Sequence, residues 1–355
     1  MIRKKHFLII VVLLSGFFVF GGFVPKADAD TVKESADLLQ KANSLYKAAK
    51  FQEALEASDK AVALNPQSSN AYTMRGNVYQ QLGKKEQAIG DYTKAIELNP
   101  NDFEAYYERG SMYRETGKEP EAKRDWNKSI EIIGKTPKNA HEYDIRGNAY
   151  GKLGNLQEAI DDFTKAIELN PSFVEGYYNR GVAYRRLGNF KQAIIENTKA
   201  IELAPNFAMA FFNRGVAYEQ EGKYPEALGD YTRVIQLDPS FPKAYGARGS
   251  LLFDVGNIKG SIADFNKAIE LDPKYTSAYY NRGIVRHAAG QYQQAIEDFN
   301  KAIDLGVKVA PVYLMRGSAF MNLNKSEQGL EDYKTAARLG SKEAMEFLKS
   351  KGIAW

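Results

Sequence analysis

The chain has 355 residues, of which 44% are hydrophobic, 12% aromatic and 26% charged, and it has no cysteine. That balance excludes a largely disordered chain, and the missing thiols exclude disulfides, iron–sulfur clusters, thiolate zinc sites and a cysteine nucleophile. The net charge of +4 brings nucleic acid or an anionic membrane to mind, and the position of the charges tests that idea.

The first 29 residues read as an export signal. Arg3, Lys4 and Lys5 precede an apolar run from Phe7 to Val24, and Ala27-Asp28-Ala29 is a small-x-small site. The predicted cut falls after Ala29. The run of 18 residues is near the lower limit for spanning a bilayer, so an uncleaved signal anchor is the rival reading. In either case the rest of the chain crosses the membrane. No cysteine follows the run, which excludes a lipoprotein, and no twin arginine is present, which leaves ordinary Sec export. The expected setting is a bacterial periplasm or cell envelope. This segment holds Arg3, Lys4, Lys5 and Lys26 against Asp28, so the remainder carries only +1. No nucleic-acid partner is expected, and membrane contact only through an uncleaved N-terminal segment.

Residues 30–34 read as a short linker, and a period follows. Arg-Gly places its glycine at 76, 110, 147, 181, 215, 249, 283 and 317, every interval being 34 except one of 37. A ruler of 34 gives nine repeats over 35–343, with Pro137-Lys138-Asn139 inserted after the third. Each repeat has two helical stretches. In the fifth, Tyr177, Gly181 and Tyr184 share a face of the first helix. Gly188-Asn189 turns the chain, and Pro205 stops a second helix that buries Ala193, Ile194, Ala200 and Ile201. Pro66, Pro100, Pro171, Pro239 and Pro273 repeat that stop. A mid-helix glycine costs about 1 kcal/mol against alanine, so its recurrence implies a close neighbour. Ala193 and its counterparts are expected to face it. Residues 344–355 read as a capping helix, with Phe347, Leu348, Ile353 and Trp355 available to cover the last repeat.

The pattern of aromatic, Gly, Tyr, Ala, aromatic, Ala and Pro, as in Ala278–Gly283 with Ala295, Phe299 and Ala302, resembles the tetratricopeptide repeat (TPR). The resemblance covers 35–343 and implies an all-α fold: a right-handed superhelical solenoid of nine helix-turn-helix repeats with a C-terminal capping helix. Departures are Ala42 for glycine in the first repeat, Ser261 and Gly329 for alanine in the seventh and ninth, and no closing proline in the third, eighth and ninth.

No phosphate loop, nucleophile elbow or metal motif is present, so neither an enzyme nor a cofactor is expected. His141 and His287 are far apart in a fold of neighbour contacts and read as solvated surface residues. Asp161-Asp162 reads as one residue of a polar face beside a diverging neighbour. The resemblance instead implies a protein or peptide partner held on the concave face, which first helices line. Fifth positions are Leu39, Thr73, Tyr107, Asp144, Tyr178, Phe212, Gly246, Tyr280 and Leu314. Tyr107, Tyr178, Phe212 and Tyr280 are candidate contact rings. Asn179, Asn213 and Asn281 share the sixth position, and Asn43, Asn77 and Asn148 the ninth. An amide pairs with a peptide group without charge, and the row is similar to the asparagine ladders of some members. Family domains that grip acidic C-terminal tails use a lysine at the fifth position, which this chain lacks. Near Arg114, Arg185 and Arg186 lie Glu104, Glu108 and Glu175, so a face of mixed sign is expected. The function expected is a non-catalytic interaction scaffold. The alternatives are a membrane-anchored assembly factor for an envelope or secretion complex, and a glycan-binding protein stacking sugars on the same rings. Self-association is open.

Overall fold

The computed structural model describes residues 29–134 and 136–355. The expected export signal therefore lies, apart from Ala29, outside the described residues. Nineteen α-helices and no strand occur among them. The chain divides into two compact units, 1–118 and 119–355.

The first unit contains α1 Ala29–Lys47, α2 Phe51–Leu64, α3 Ser69–Gln81, α4 Lys85–Leu98 and α5 Phe103–Glu115. Residues 30–34, expected as a linker, are the first turns of α1. They contain no breaker, and the buried Ser35 hydroxyl just beyond donates to the Ala61 carbonyl of α2 at 2.9 Å. Ala42, which stands where later repeats have glycine, is buried.

The second unit opens with α6 Glu119–Ile133, then α7 Ala140–Leu153, α8 Leu156–Leu169, α9 Val174–Arg186 and α10 Phe190–Leu203. It continues with α11 Ala208–Gln220, α12 Tyr224–Leu237, α13 Pro242–Asp254, α14 Ile258–Leu271, α15 Thr276–Ala288 and α16 Tyr292–Asp304. It ends with α17 Ala310–Asn322, α18 Ser326–Arg338 and α19 Lys342–Ser350. Odd-numbered helices up to α17 are the first helices of repeats, and even-numbered ones the second. Each second helix packs on the first helix of the next repeat within its unit, and first helices touch in the pairs α1–α3, α3–α5, α7–α9, α9–α11, α13–α15 and α15–α17.

Local chemistry sets these boundaries. Six second helices end two residues before the repeat-closing proline, as at Leu203 before Pro205. The three repeats without that proline turn instead on Gly134, Gly306 and Gly340, with φ of 73°, 104° and 94°. The insertion is used as a cap. Asn139 accepts from Glu142 N at 2.9 Å while Glu142 accepts from Asn139 Nδ2 at 3.1 Å and from Lys138 N at 2.8 Å.

In most repeats the second helix buries an aromatic, among them Tyr92, Trp126, Tyr231, Phe265 and Phe299, all fully or almost fully buried, while Ser58 and Asn197 hold that place in the first and fifth. These rings add a second reason for the recurring glycine, beside the expected alanine position. A Cβ on Gly283 would lie 2.7 Å from the Phe299 ring, and on Gly215 2.8 Å from the Tyr231 ring. At these positions the glycine leaves room for the aromatic of its own repeat, and at Gly317 and Gly249 the backbone of Gly329 and Ser261, which stand at the Ala193 position, is also close, at 3.1 and 3.3 Å.

The expected capping helix is α19, shifted to Lys342–Ser350. Leu348 is fully buried, and Phe347 stacks on Tyr333 with centroids 4.3 Å apart. Trp355 does not cover the last repeat. Gly352 turns with φ of 67°, Ile353 N donates back to the Leu348 carbonyl, and Trp355 is left 46% exposed.

Candidate functional site

The arginine of each Arg-Gly pair is a clamp, which the sequence reading used only as a ruler mark. Arg214 donates from Nε and Nη2 to the two oxygens of Asp230, both at 2.8 Å, and from Nη1 to Thr198 Oγ1 at 3.1 Å. One side chain thus joins its own first helix, its own second helix and the second helix of the preceding repeat. Arg248 does the same with Asp264 and Thr232, and Arg316 with Asp332 and Asn300. In the first unit Arg75 joins Asp91 and Asp59. The carboxylate of the same repeat lies 16 residues after its arginine, a spacing visible in the sequence. Asp162, read as part of a polar face, is buried and takes both bonds from Arg146. Hydrogen bonding to the carboxylate raises the pKa of Arg75, Arg248 and Arg316 above the ordinary arginine value. These charges are therefore paired inside the repeats.

A second register rule governs the fifth positions. Four of them meet the residue that opens the next first helix, 29 residues later. Thr73 donates to Asp102 at 3.0 Å. The Tyr178 ring sits 5.0 Å from Phe207, and Phe212 5.2 Å from Phe241. At Gly246 the ring of Tyr275 occupies the space where a side chain would project. The candidate rings are accordingly not open platforms. Tyr107 is buried, with 9% exposed, and serves the core. Tyr178, Phe212 and Tyr280 are half-buried, and Tyr280 leans on Phe299 at 6.1 Å. Burial raises the pKa of Tyr178 and Tyr280 above the ordinary phenol value.

The asparagines fall into three groups. Asn43 is exposed on α1. Asn77 and Asn213 face inward: Asn77 Oδ1 is 2.7 Å from the Tyr92 hydroxyl, and Asn213 is buried and donates to the Met209 carbonyl at 3.0 Å. Neither is a free rung, because the core and the helix backbone take their polar groups. Asn148, Asn179 and Asn281 are half-buried and line open clefts.

The first cleft, of about 250 Å³, lies between α7, α8 and α9 and is lined by Asn148, Lys152, Tyr178, Asn179 and Arg186 among others. The second, of about 170 Å³, is bordered by Phe212, Lys243, Gly246, Ser250, Tyr275 and Asn281. Here Tyr275 fills the place of a fifth-position side chain, and Asn281 Nδ2 lies 3.4 Å from Ser250 Oγ.

Beneath the first cleft is Asp144, which the sequence reading placed on this face without a role. It is 8% exposed and accepts from Asn179 Nδ2 at 2.8 Å and Asn148 Nδ2 at 3.1 Å. Burial pushes its carboxyl up to about 6, with Glu175 adding to the rise and Asn179, His141 and Asn148 opposing it. His287, read as solvated, is half-buried: Nε2 is 3.0 Å from Ser318 Oγ, and desolvation lowers its pKa. No group of three or more His, Cys, Asp or Glu able to hold a metal occurs among the described residues. No helix among them is long and apolar enough to cross a membrane.

Sequence and structure comparisons agree on the architecture. Models of the tetratricopeptide repeat match residues 69–102, 174–207, 208–241 and 276–305, and also 91–124 and 310–339. A TPR repeat model matches 147–188 and 249–290. No curated protein sequence matches significantly. Among solved structures, the chain is similar to one in the APC/C hetero-tetramer Cut9–Hcn1, at 18% identity and a TM-score of 0.61, covering 84% of this chain. It spans 59% of that chain's length. It is also similar to pilF of Pseudomonas aeruginosa, at 20% identity and a TM-score of 0.54, over 59% of this chain and 97% of that one. Identities this low speak to the fold alone. The repeat matches, spread from residue 69 to residue 339 over paired helices of the expected length, place this chain in the tetratricopeptide repeat family of protein-interaction scaffolds.

Proposed function

We propose that the chain is a non-catalytic scaffold that binds a peptide segment of a partner protein on the first-helix face of its second unit, after export through the segment 1–29. The observation that carries this is the pair of open clefts on that face. They are lined by Asn148, Tyr178 and Asn179 in one case and by Phe212 and Asn281 in the other. Each combines half-covered rings with amides and a cationic side chain, the mixture that peptide recognition requires. The arginine clamps hold the first helices against their neighbours, so the face is formed before a ligand arrives, and ordering costs on binding stay small.

The test uses random dodecapeptides displayed on phage and selected on the full chain. Lys152→Glu with Lys243→Glu reverses charge in the two clefts. Lys191→Glu with Lys259→Glu makes the same charge change on exposed positions of second helices. The first pair is expected to weaken the selected peptides at least about tenfold, near 1.4 kcal/mol, and the second less than twofold. Equal losses from both pairs, or a greater loss from the second, would place binding elsewhere.

A further inference from the structure

Buried carboxylates among the described residues lie on second helices, with Asp144 as the exception. It lies on a first helix, and the groups that reach it are two neutral amides, one from its own helix and one from the next first helix. Both amides also line the first cleft. An ionised carboxylate can only accept hydrogen bonds, so Asn148 and Asn179 must turn their nitrogens toward it. The oxygen of each amide, on the other branch of the side chain, is then left for the cleft. A protonated carboxyl has a proton to donate. One amide must then rotate to accept it, and that amide shows N–H groups to the cleft instead.

We propose that Asp144 is a proton-controlled positioning residue, which in its ionised form makes the α7–α9 cleft a pair of hydrogen-bond acceptors for the N–H groups of an extended peptide. Lys152 and Arg186 line the same cleft and suit an acidic side chain on that peptide. Protonation removes one of the two acceptors and weakens the site. The raised pKa of Asp144 puts this change within reach of mild acidification. The charged groups acting on Asp144 are His141 on its own helix, which favours the ionised form, and Glu175 on α9, which opposes it. Asp162 of α8 is taken by Arg146, Arg180 of α9 by Glu196, and Glu131 of α6 by Lys128. The ligand class rests on the proposed peptide-binding function; the coupling of the amides to Asp144 does not.

Two measurements separate these parts. In the full chain, the side-chain amide resonances of Asn148 and Asn179 are followed by NMR from pH 4.5 to 8. Both are expected to move with one shared midpoint near 6, and Asn281 not to follow. His141→Gln should raise the midpoint and Glu175→Gln should lower it, while Asp144→Asn should abolish the transition. Amides that do not titrate together, or a transition that survives in Asp144→Asn, would overturn the proposal. The second measurement takes the phage-displayed dodecapeptides selected at pH 7.5 and compares their retention at pH 5. Release is expected to be at least fivefold greater from the native chain than from Asp144→Asn. Equal release from both would overturn the linkage to binding. Failure to select any peptide would count against the proposed function and leave the NMR result standing on its own.

Discussion

At the scale of single residues, the recurring glycine shows how one position is read differently by its neighbours. Gly283 faces a fully buried phenylalanine ring that cannot retreat, with a would-be Cβ 2.7 Å from Phe299. At Gly249 the nearest atoms are Asp264 Cβ and Ser261 O, both 3.3 Å away. Gly283→Ala is expected to cost about 1–3 kcal/mol through overpacking. In Gly249→Ala a smaller clash is offset by the helix propensity gain of about 1 kcal/mol. Urea denaturation of both variants checks the order, and a larger loss at Gly249 would contradict it. The sequence showed that something close must oppose the glycine and named the alanine position, but it did not show that the aromatic four residues later also lies against it, as Ser261 and Phe265 both do at Gly249.

At the scale of elements, the arginine clamp does what hydrophobic packing alone does not: it fixes the register of three helices at once. Asp230 is 6% exposed and is held by Arg214. Arg214→Ala strands a buried carboxylate and is expected to cost about 3–5 kcal/mol. Arg214→Lys should recover little of that, since an ammonium cannot make the two-pronged bond and reach Thr198 as well. The loss should be measured by hydrogen exchange in α10, α11 and α12, the helices the clamp joins. Protection unchanged in α10 would show that the link between repeats is not mechanical. The 16-residue spacing was present in the sequence from the start. It becomes a contact only once the two helices run antiparallel with their middle turns level, which no local pattern states.

At the scale of the whole molecule, helix boundaries were largely legible and the proposed binding face only partly so. Proline and glycine stop helices through backbone geometry, a local effect that a sequence displays directly. The linker at 30–34 and the reach of Trp355 were misread because tertiary contacts, from Ser35 and Leu348, decide those ends. Ring exposure at Tyr178 and Phe212 depends on a phenylalanine 29 positions away, and at Tyr280 on Phe299, so these rings looked more available than they are. The asparagine row was visible, but its division into inward amides and cleft-lining amides was not. That division depends on Tyr92, Met209 and Asp144, each supplied by different geometry. What survives is a face with two clefts, amides and cationic edges on a framework stiffened by clamps. The most direct measurement is a crystal structure of the full chain with a selected dodecapeptide. The account predicts an extended peptide against Asn148 and Asn179 or against Ser250 and Asn281. A peptide seated on second helices, with both clefts unoccupied, would contradict it.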